Sequence, residues 1–263
     1  MDNRAIGIYD SGFGGLSVWG AVRERLPRES LLYFGDGLNC PYGLKPRAEV
    51  RRYAEEVASE LLARGCKMIV VACNTATAAA IDALREQYPE IPIVGMEPAV
   101  KPACLQTRSG VVGVLATQRS LEGDLFQRTA AKYGNNVRVI ARFGRGFVEL
   151  VENNKEQTAE AEKVVREVVE EMVSEGVDQI VLGCTHYPFL GDVIAKVAPD
   201  VNIIDPSPAV AKQVEKLLSE RNMLAQEGNI PSYEFGSFAD ESYVTKLMSK
   251  ANQLIDRFKN VKE

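Results

Sequence analysis

Histidine and tryptophan are nearly missing from this chain, with one residue of each. A lone histidine, His186, cannot build a multi-histidine metal centre. The five cysteines, Cys40, Cys66, Cys73, Cys104 and Cys184, contain no Cys-x-x-Cys pair, so a thiolate site would have to gather ligands from distant segments. No metal is expected. An odd, widely scattered set of cysteines is not a disulfide framework and points to a reducing compartment, the cytoplasm. Positive charge is not in excess: 31 Lys and Arg stand against 36 Asp and Glu, a net charge of −5, which argues against a general nucleic-acid surface. No apolar run approaches the roughly 20 residues that span a bilayer, so no membrane association is expected. Met1 to Arg4 lead directly into an apolar run, and no signal peptide is expected. What remains is ordinary: 263 residues, 46% hydrophobic and 25% charged, enough for one large or two modest globular domains.

Two stretches organise the chain. Val70-Val71-Ala72-Cys73-Asn74-Thr75-Ala76-Thr77 reads as a buried strand that ends on a cysteine and turns at once into a helix. Val181-Leu182-Gly183-Cys184-Thr185-His186-Tyr187-Pro188 reads as its copy. The strand Ile6-Gly7-Ile8-Tyr9, followed by Asp10-Ser11-Gly12-Phe13-Gly14-Gly15, is echoed by Val112-Gly113-Val114-Leu115-Ala116-Thr117, so both pairs recur in the same order at similar separations. The glycines permit a tight strand-to-helix turn, but their spacing is wrong for a dinucleotide fingerprint.

Apolar runs also predict strands at 31–34, 91–95, 137–141, 201–205 and near 233–235. Helical spacing falls at 16–26, 46–64, 75–88, 120–133 and 158–175, and again in the charged C-terminal segment. The stripe Val164, Val165, Val168, Val169 and Met172 reads as core. Met96 to Pro102 and Pro206-Ser207-Pro208 read as proline-marked connectors. The alternation predicts an α/β fold of two similar halves with mainly parallel sheets, 1–97 plus 209–263 and 98–208, with ligand at the carboxyl ends of the strands.

Each organising thiol would sit where a helix offers free N–H groups that favour an anion. A thiol can accept a proton as thiolate and return it as thiol, which suits a carbon acid attacked from both faces. Asp10 is the candidate helper of Cys73, and His186, two residues past Cys184, that of the second thiol. Ser11, Asn74, Thr75, Thr117 and Thr185, all at turns, could bind substrate carboxylates. Each alone has a plainer reading, since cysteines at strand ends are usually small buried hydrophobes and Asn or Thr there usually cap helices. The functional reading rests on two cysteines at equivalent ends of repeated halves.

Asp10-Ser11-Gly12-Phe13-Gly14-Gly15-Leu16-Ser17-Val18, Pro41-Tyr42-Gly43, Ala72-Cys73-Asn74-Thr75-Ala76-Thr77 and Leu182-Gly183-Cys184-Thr185-His186-Tyr187-Pro188 closely resemble the glutamate racemases. The resemblance covers about residues 5–208. It implies a cofactor-independent isomerase that interconverts L- and D-glutamate and supplies D-glutamate for peptidoglycan. By that resemblance Cys73 takes the proton from D-glutamate, helped by Asp10, and Cys184 takes it from L-glutamate, helped by His186 and Glu152. Asp10, Ser11, Tyr42, Gly43, Asn74, Thr75, Thr117, Thr185 and His186 match glutamate-binding positions. The resemblance further implies an active site in the cleft between two α/β halves, a C-terminal segment returning to the first half, and a homodimer. Where many members carry Cys-Pro before the Glu152 segment, this chain has Arg142-Phe143-Gly144-Arg145-Gly146, and it places Cys40 in the Tyr42 loop.

Three other readings compete. Aspartate differs from glutamate by one methylene, and a one-thiol decarboxylase would need a single protonated face. A regulatory protein that binds DNA gyrase is the non-enzyme class. A redox or zinc protein is the third. No lysine stands in a pyridoxal context, so no cofactor is expected.

Overall fold

A computed structural model of the chain describes residues 1–97, 99–122, 128, 131–132 and 137–260. The chain forms two compact units. One comprises Met1–Tyr42, Pro46–Met96 and the segment from Ser207 onward, and the other Gly43–Lys45 and Glu97–Pro206.

The first unit holds a five-stranded sheet of β1 (Ile6–Asp10), β2 (Leu31–Gly35), β3 (Met68–Val71), β4 (Ile93–Gly95) and β9 (Tyr233–Gly236), in the order β4-β3-β1-β2-β9. Every pairing is parallel. Such a sheet must be covered on both faces, which is why its strands read as continuous apolar runs. The pleat sorts the side chains. Tyr9, Phe34 and Val71 lie in register and share one face, packed under Val50, Ala54, Val57 and Leu61 of α2 (Arg47–Ala63) and Ala76 and Ala80 of α3 (Asn74–Gln87). On the other face Trp19 of α1 (Leu16–Arg25) packs against Tyr233 and Phe235, alongside the C-terminal helices.

The second unit holds β5 (Val111–Ala116), β6 (Arg138–Phe143), β7 (Gln179–Gly183) and β8 (Asn202–Ile204) in the order β6-β5-β7-β8, again all parallel. Val100 and Ala103 of α4 (Val100–Gln106) cover Val112, Val114, Ala116 and Val181. Val165, Val169 and Met172 are the buried stripe of α7 (Ala159–Ser174), with Val164 and Val168 half-buried at its margin. Read from β8, this order repeats β4-β3-β1-β2 strand for strand. The repeat seen in the sequence is therefore a repeat of topology, with β1 answering to β5 and β3 to β7.

Where the sequence predicts a connector from Met96 to Pro102, helix α4 already runs from Val100. Pro102 sits in its first turn, where its missing N–H costs no hydrogen bond. Pro98 lies outside the described residues, as does much of the expected 120–133 helix, of which α5 (Gln118–Glu122) is described. The second expected connector likewise yields to a helix, α9 (Ser207–Glu220), which takes Pro208 in its first turn. The chain closes with α10 (Glu241–Asn260). Between β6 and α7 lies the short helix α6 (Phe147–Glu152), and after β7 come a 3-10 turn over Tyr187–Leu190 and α8 (Gly191–Val197).

Candidate active-site residues

The first unit places Asp10 and Ser11 at the end of β1 and Cys73 at the end of the adjacent β3. The two ends are tied where Ala72 N donates to Tyr9 O at 2.8 Å. Asp10 is fully buried, and its carboxylate accepts from Gly12 N at 3.0 Å, which folds the glycine loop back over the strand end. Gly15 is required here: a Cβ on it would lie 2.6 Å from the Asp10 Cβ and 2.9 Å from the Tyr33 hydroxyl. That hydroxyl donates to Gly12 O at 2.7 Å and pins the same loop.

Cys73 is the N-cap of α3. Its sulfur accepts from Ala76 N at 3.4 Å, with Ser11 Oγ 4.0 Å away. An N-cap sulfur faces the positive end of the helix dipole, which favours a thiolate. Thr75 is buried in the same turn. The Asn74 amide nitrogen is buried without a hydrogen-bond partner among the described residues, a donor available to an anion.

Tyr42, expected among the glutamate-binding positions, has its side chain turned to another group. It is buried, and its hydroxyl donates to Asp36 Oδ2 at 2.5 Å, so its side-chain proton is already committed. Asn39 Nδ2 donates to the same carboxylate at 3.1 and 3.0 Å, and Asp36 N donates to Asp10 O at 3.0 Å. Burial, and then the Asp36 charge, hold the Tyr42 phenol far above its ordinary pKa.

The second unit places Cys184 one residue past β7, followed by buried Thr185 and His186. The imidazole joins two groups: Nδ1 lies 3.7 Å from the Cys184 sulfur and Nε2 lies 2.6 Å from Glu152 Oε1. Burial would lower the histidine pKa, but hydrogen bonds to Cys184 and Glu152 outweigh it, and the result lies well above the ordinary value. The ring thus faces the thiol through Nδ1 and the carboxylate through Nε2. Glu152 reaches it from the last turn of α6, which is seated by Phe147 packed edge-on to Tyr187 at 5.1 Å and by Tyr187 Oη donating to Gly144 O at 3.3 Å. The Arg142–Gly146 run, where a Cys-Pro pair is commoner, therefore still delivers a carboxylate to the histidine. Thr117, just past β5, shares a hydrogen bond with Ser120 at 2.9 Å, and Gly43 packs against it closely enough that a Cβ would come within 3.0 Å.

Thus Ser11 and Cys73 are neighbours, Cys184, His186 and Glu152 form a chain, and Thr117 meets Gly43. Two polar groups escaped the sequence reading. Asp36 stands one residue past β2, as Ser11 does past β1, and that position was the available signal. Tyr9 ends in a buried hydroxyl beside the Cys73 strand, and nothing in an apolar run distinguishes such a tyrosine from core. None of the five cysteines is in a disulfide.

Residues 18–214 match the family described as Asp/Glu/Hydantoin racemase. The glutamate racemase of Herpetosiphon aurantiacus is 44% identical over 248 residues, covering 94% of this chain and 97% of that protein. The glutamate racemase of Ectopseudomonas mendocina is 47% identical, covering 84% and 85%. Among solved structures, glutamate racemase from Francisella tularensis in complex with D-glutamate superposes with a TM-score of 0.83 at 32% identity, covering 96% of this chain and 95% of that one. The Thermus thermophilus glutamate racemase in complex with beta-chloro-D-alanine gives 0.81 at 38%, covering 94% and 93%.

Proposed function

The chain belongs to the Asp/Glu/hydantoin racemase family, and from that premise we propose that it is a glutamate racemase working with two thiols and no cofactor. The observation that carries this reading is the Cys184–His186–Glu152 chain. A buried imidazolium held by a carboxylate stabilises the thiolate beside it, and a thiolate is the base the reaction needs. In the L-to-D direction the Cys184 thiolate takes the α-proton and the Cys73 thiol gives its proton to the opposite face. The product leaves Cys184 as thiol and Cys73 as thiolate, which is the state that runs D to L. Asp10 assists at Cys73, while His186 and Glu152 assist at Cys184.

Ser11, Asn74, Thr75, Thr117, Thr185 and the Tyr42–Gly43 turn bind the two carboxylates. Tyr42 does so through its backbone, since its hydroxyl serves Asp36. The α-proton is weakly acidic, so every one of these donors that strengthens as charge builds on the α-carboxylate lowers the barrier. We further propose that the protein acts in the cytoplasm as a homodimer and supplies D-glutamate for peptidoglycan. No helix among the described residues is long and apolar enough to cross a membrane.

The test is incubation with D-glutamate, L-glutamate and D-aspartate in deuterated water, followed by NMR and optical rotation together. Deuterium entry at the α-carbon with loss of rotation is expected for glutamate. Exchange with aspartate alone would move the substrate, and no exchange with any of the three would sink the racemase reading. Cys73→Ala and Cys184→Ala are each expected to lower racemisation by at least about 1000-fold, as removal of a positioned acid or base does. Near wild-type turnover by either would sink the two-thiol mechanism.

A further inference from the structure

The Tyr9 hydroxyl is the odd group of the first unit. The residue is fully buried, and its oxygen finds no hydrogen-bond partner among the described residues. A buried orphan hydroxyl is costly, and phenylalanine would fill the same space without that cost. Its location suggests what it is for. Tyr9 pairs in register with Val71, so their side chains share a face, and Cys73, two residues past Val71, belongs to the same buried cluster with Tyr42 and Phe34.

We propose that Tyr9 is a positioning residue for Cys73, its hydroxyl poised to donate a hydrogen bond to the sulfur when that sulfur becomes a thiolate. With Cys73 as thiol the hydroxyl gains little, because a thiol sulfur is a weak acceptor. When the proton leaves the sulfur for the substrate carbon, negative charge appears on Sγ and the hydroxyl acquires a strong acceptor. Tyr9 donates without giving up its proton. Burial, and then charge on Cys73, Asp10 and Asp36, hold the phenol well above its ordinary pKa.

The surroundings explain why such a donor is useful. Asp36, one residue past β2, is buried in the same unit and draws nearby donors to itself. Tyr42 is committed to Asp36, and Tyr53 of α2, stacked on Tyr42 at 5.6 Å, is committed to Glu49. On the favourable side of a Cys73 thiolate stand the first N–H groups of α3, through Ala76. Tyr9 adds a donor to that side.

The inference rests on the reading of Cys73 as an acid–base thiol, and its test has one arm that needs no racemisation. Tyr9→Phe removes only the hydroxyl. Iodoacetamide labelling is followed from pH 6 to 10 and quantified peptide by peptide, with Cys184 as a comparison and Cys66, whose thiol burial pushes up to about 11, as a slow internal control. Losing a donor to the charged form raises a thiol pKa. The Cys73 profile is therefore expected to move to higher pH by about half a unit to one unit, labelling about 3- to 10-fold more slowly on its acid side, with Cys184 unchanged. The melting temperature is expected to hold or rise, since an orphan hydroxyl has gone. In the activity arm, the acid limb of kcat/KM moves up for D-glutamate and stays in place for L-glutamate. An unmoved Cys73 profile overturns the inference, and a fall in melting temperature with an unmoved profile marks the hydroxyl as structural. Wild-type protein that exchanges no glutamate α-proton counts against the proposed function, while the labelling arm still judges Tyr9.

Discussion

Burial alone would strip the proton from His186, yet its contacts with Cys184 and Glu152 keep the imidazolium favoured. The consequence for stability has a definite sign. A histidine whose folded pKa is raised binds its proton more tightly in the folded state, so its contribution is complete below the ordinary value of about 6.5 and fades as pH rises through the raised one. Glu152→Gln removes one of the two supports. It is expected to cost about 1.5–3 kcal/mol at pH 6, the worth of one charge-assisted hydrogen bond, and the difference from wild type is expected to shrink as pH rises. Urea titrations of both proteins between pH 6 and 9 check this, and a constant difference would contradict it. In the same variant the alkaline limb of L-glutamate racemisation is expected at lower pH. The sequence made His186 visible because it is the only histidine. The contact with Glu152 was not legible from spacing, because 34 residues separate the pair and the resemblance alone supplied it.

Elements place these residues by where they end. β1, β2, β3, β5 and β7 each hand a polar residue to the carboxyl edge of a sheet, and the opposite edge of the first sheet is held by different means. There Lys67, just before β3, is buried against Glu29 at 2.6 Å and also donates to the carbonyls of Asp2 and Met223, while Glu29 accepts from Ala225 N at 2.7 Å. One ion pair thus joins the N-terminal segment, two strand starts and the stretch after α9. Breaking a buried pair from one side strands the other charge, so Lys67→Met is expected to cost about 3–5 kcal/mol. Lys67→Met with Glu29→Leu should recover much of that loss. Chemical denaturation of the single and double variants decides it, and equal losses in both would refute the argument. The strands were legible as apolar runs and the long helices by their period. The sequence missed α4 because proline in a first turn looks the same as proline in a connector until the following residues are seen to pack.

The two units share a strand order, but the first takes more of the chain than its repeat requires. β9 adds a fifth strand beside β2, and α10 lays Tyr243 on Phe13 at 5.0 Å and against Gly37, where a Cβ would lie 2.4 Å from the ring. The C-terminal segment therefore braces both loops that follow β1 and β2, those that carry Ser11 and Tyr42. Ending the chain after Pro206 would uncover Trp19 and leave β2 as a bare edge. Such a truncation is expected to be insoluble or to bind a hydrophobic dye strongly, and a soluble, cooperatively melting fragment would show that the first unit stands without it. The repeat was legible because duplicated strand ends keep their polar residues in order. The brace was not, because aromatic residues on an amphipathic helix do not say which loop they will meet.

The return of the chain to the first unit also sets an order of birth. On the ribosome, β1 to β4 emerge first, yet their sheet waits with an open edge until Tyr233–Gly236 arrive, by which time every strand of the second unit has been made. The half that carries Cys73 is thus the first begun and the last finished. During that interval the nascent chain, and whatever shelters it, must guard an unpaired strand from its neighbours on the polysome.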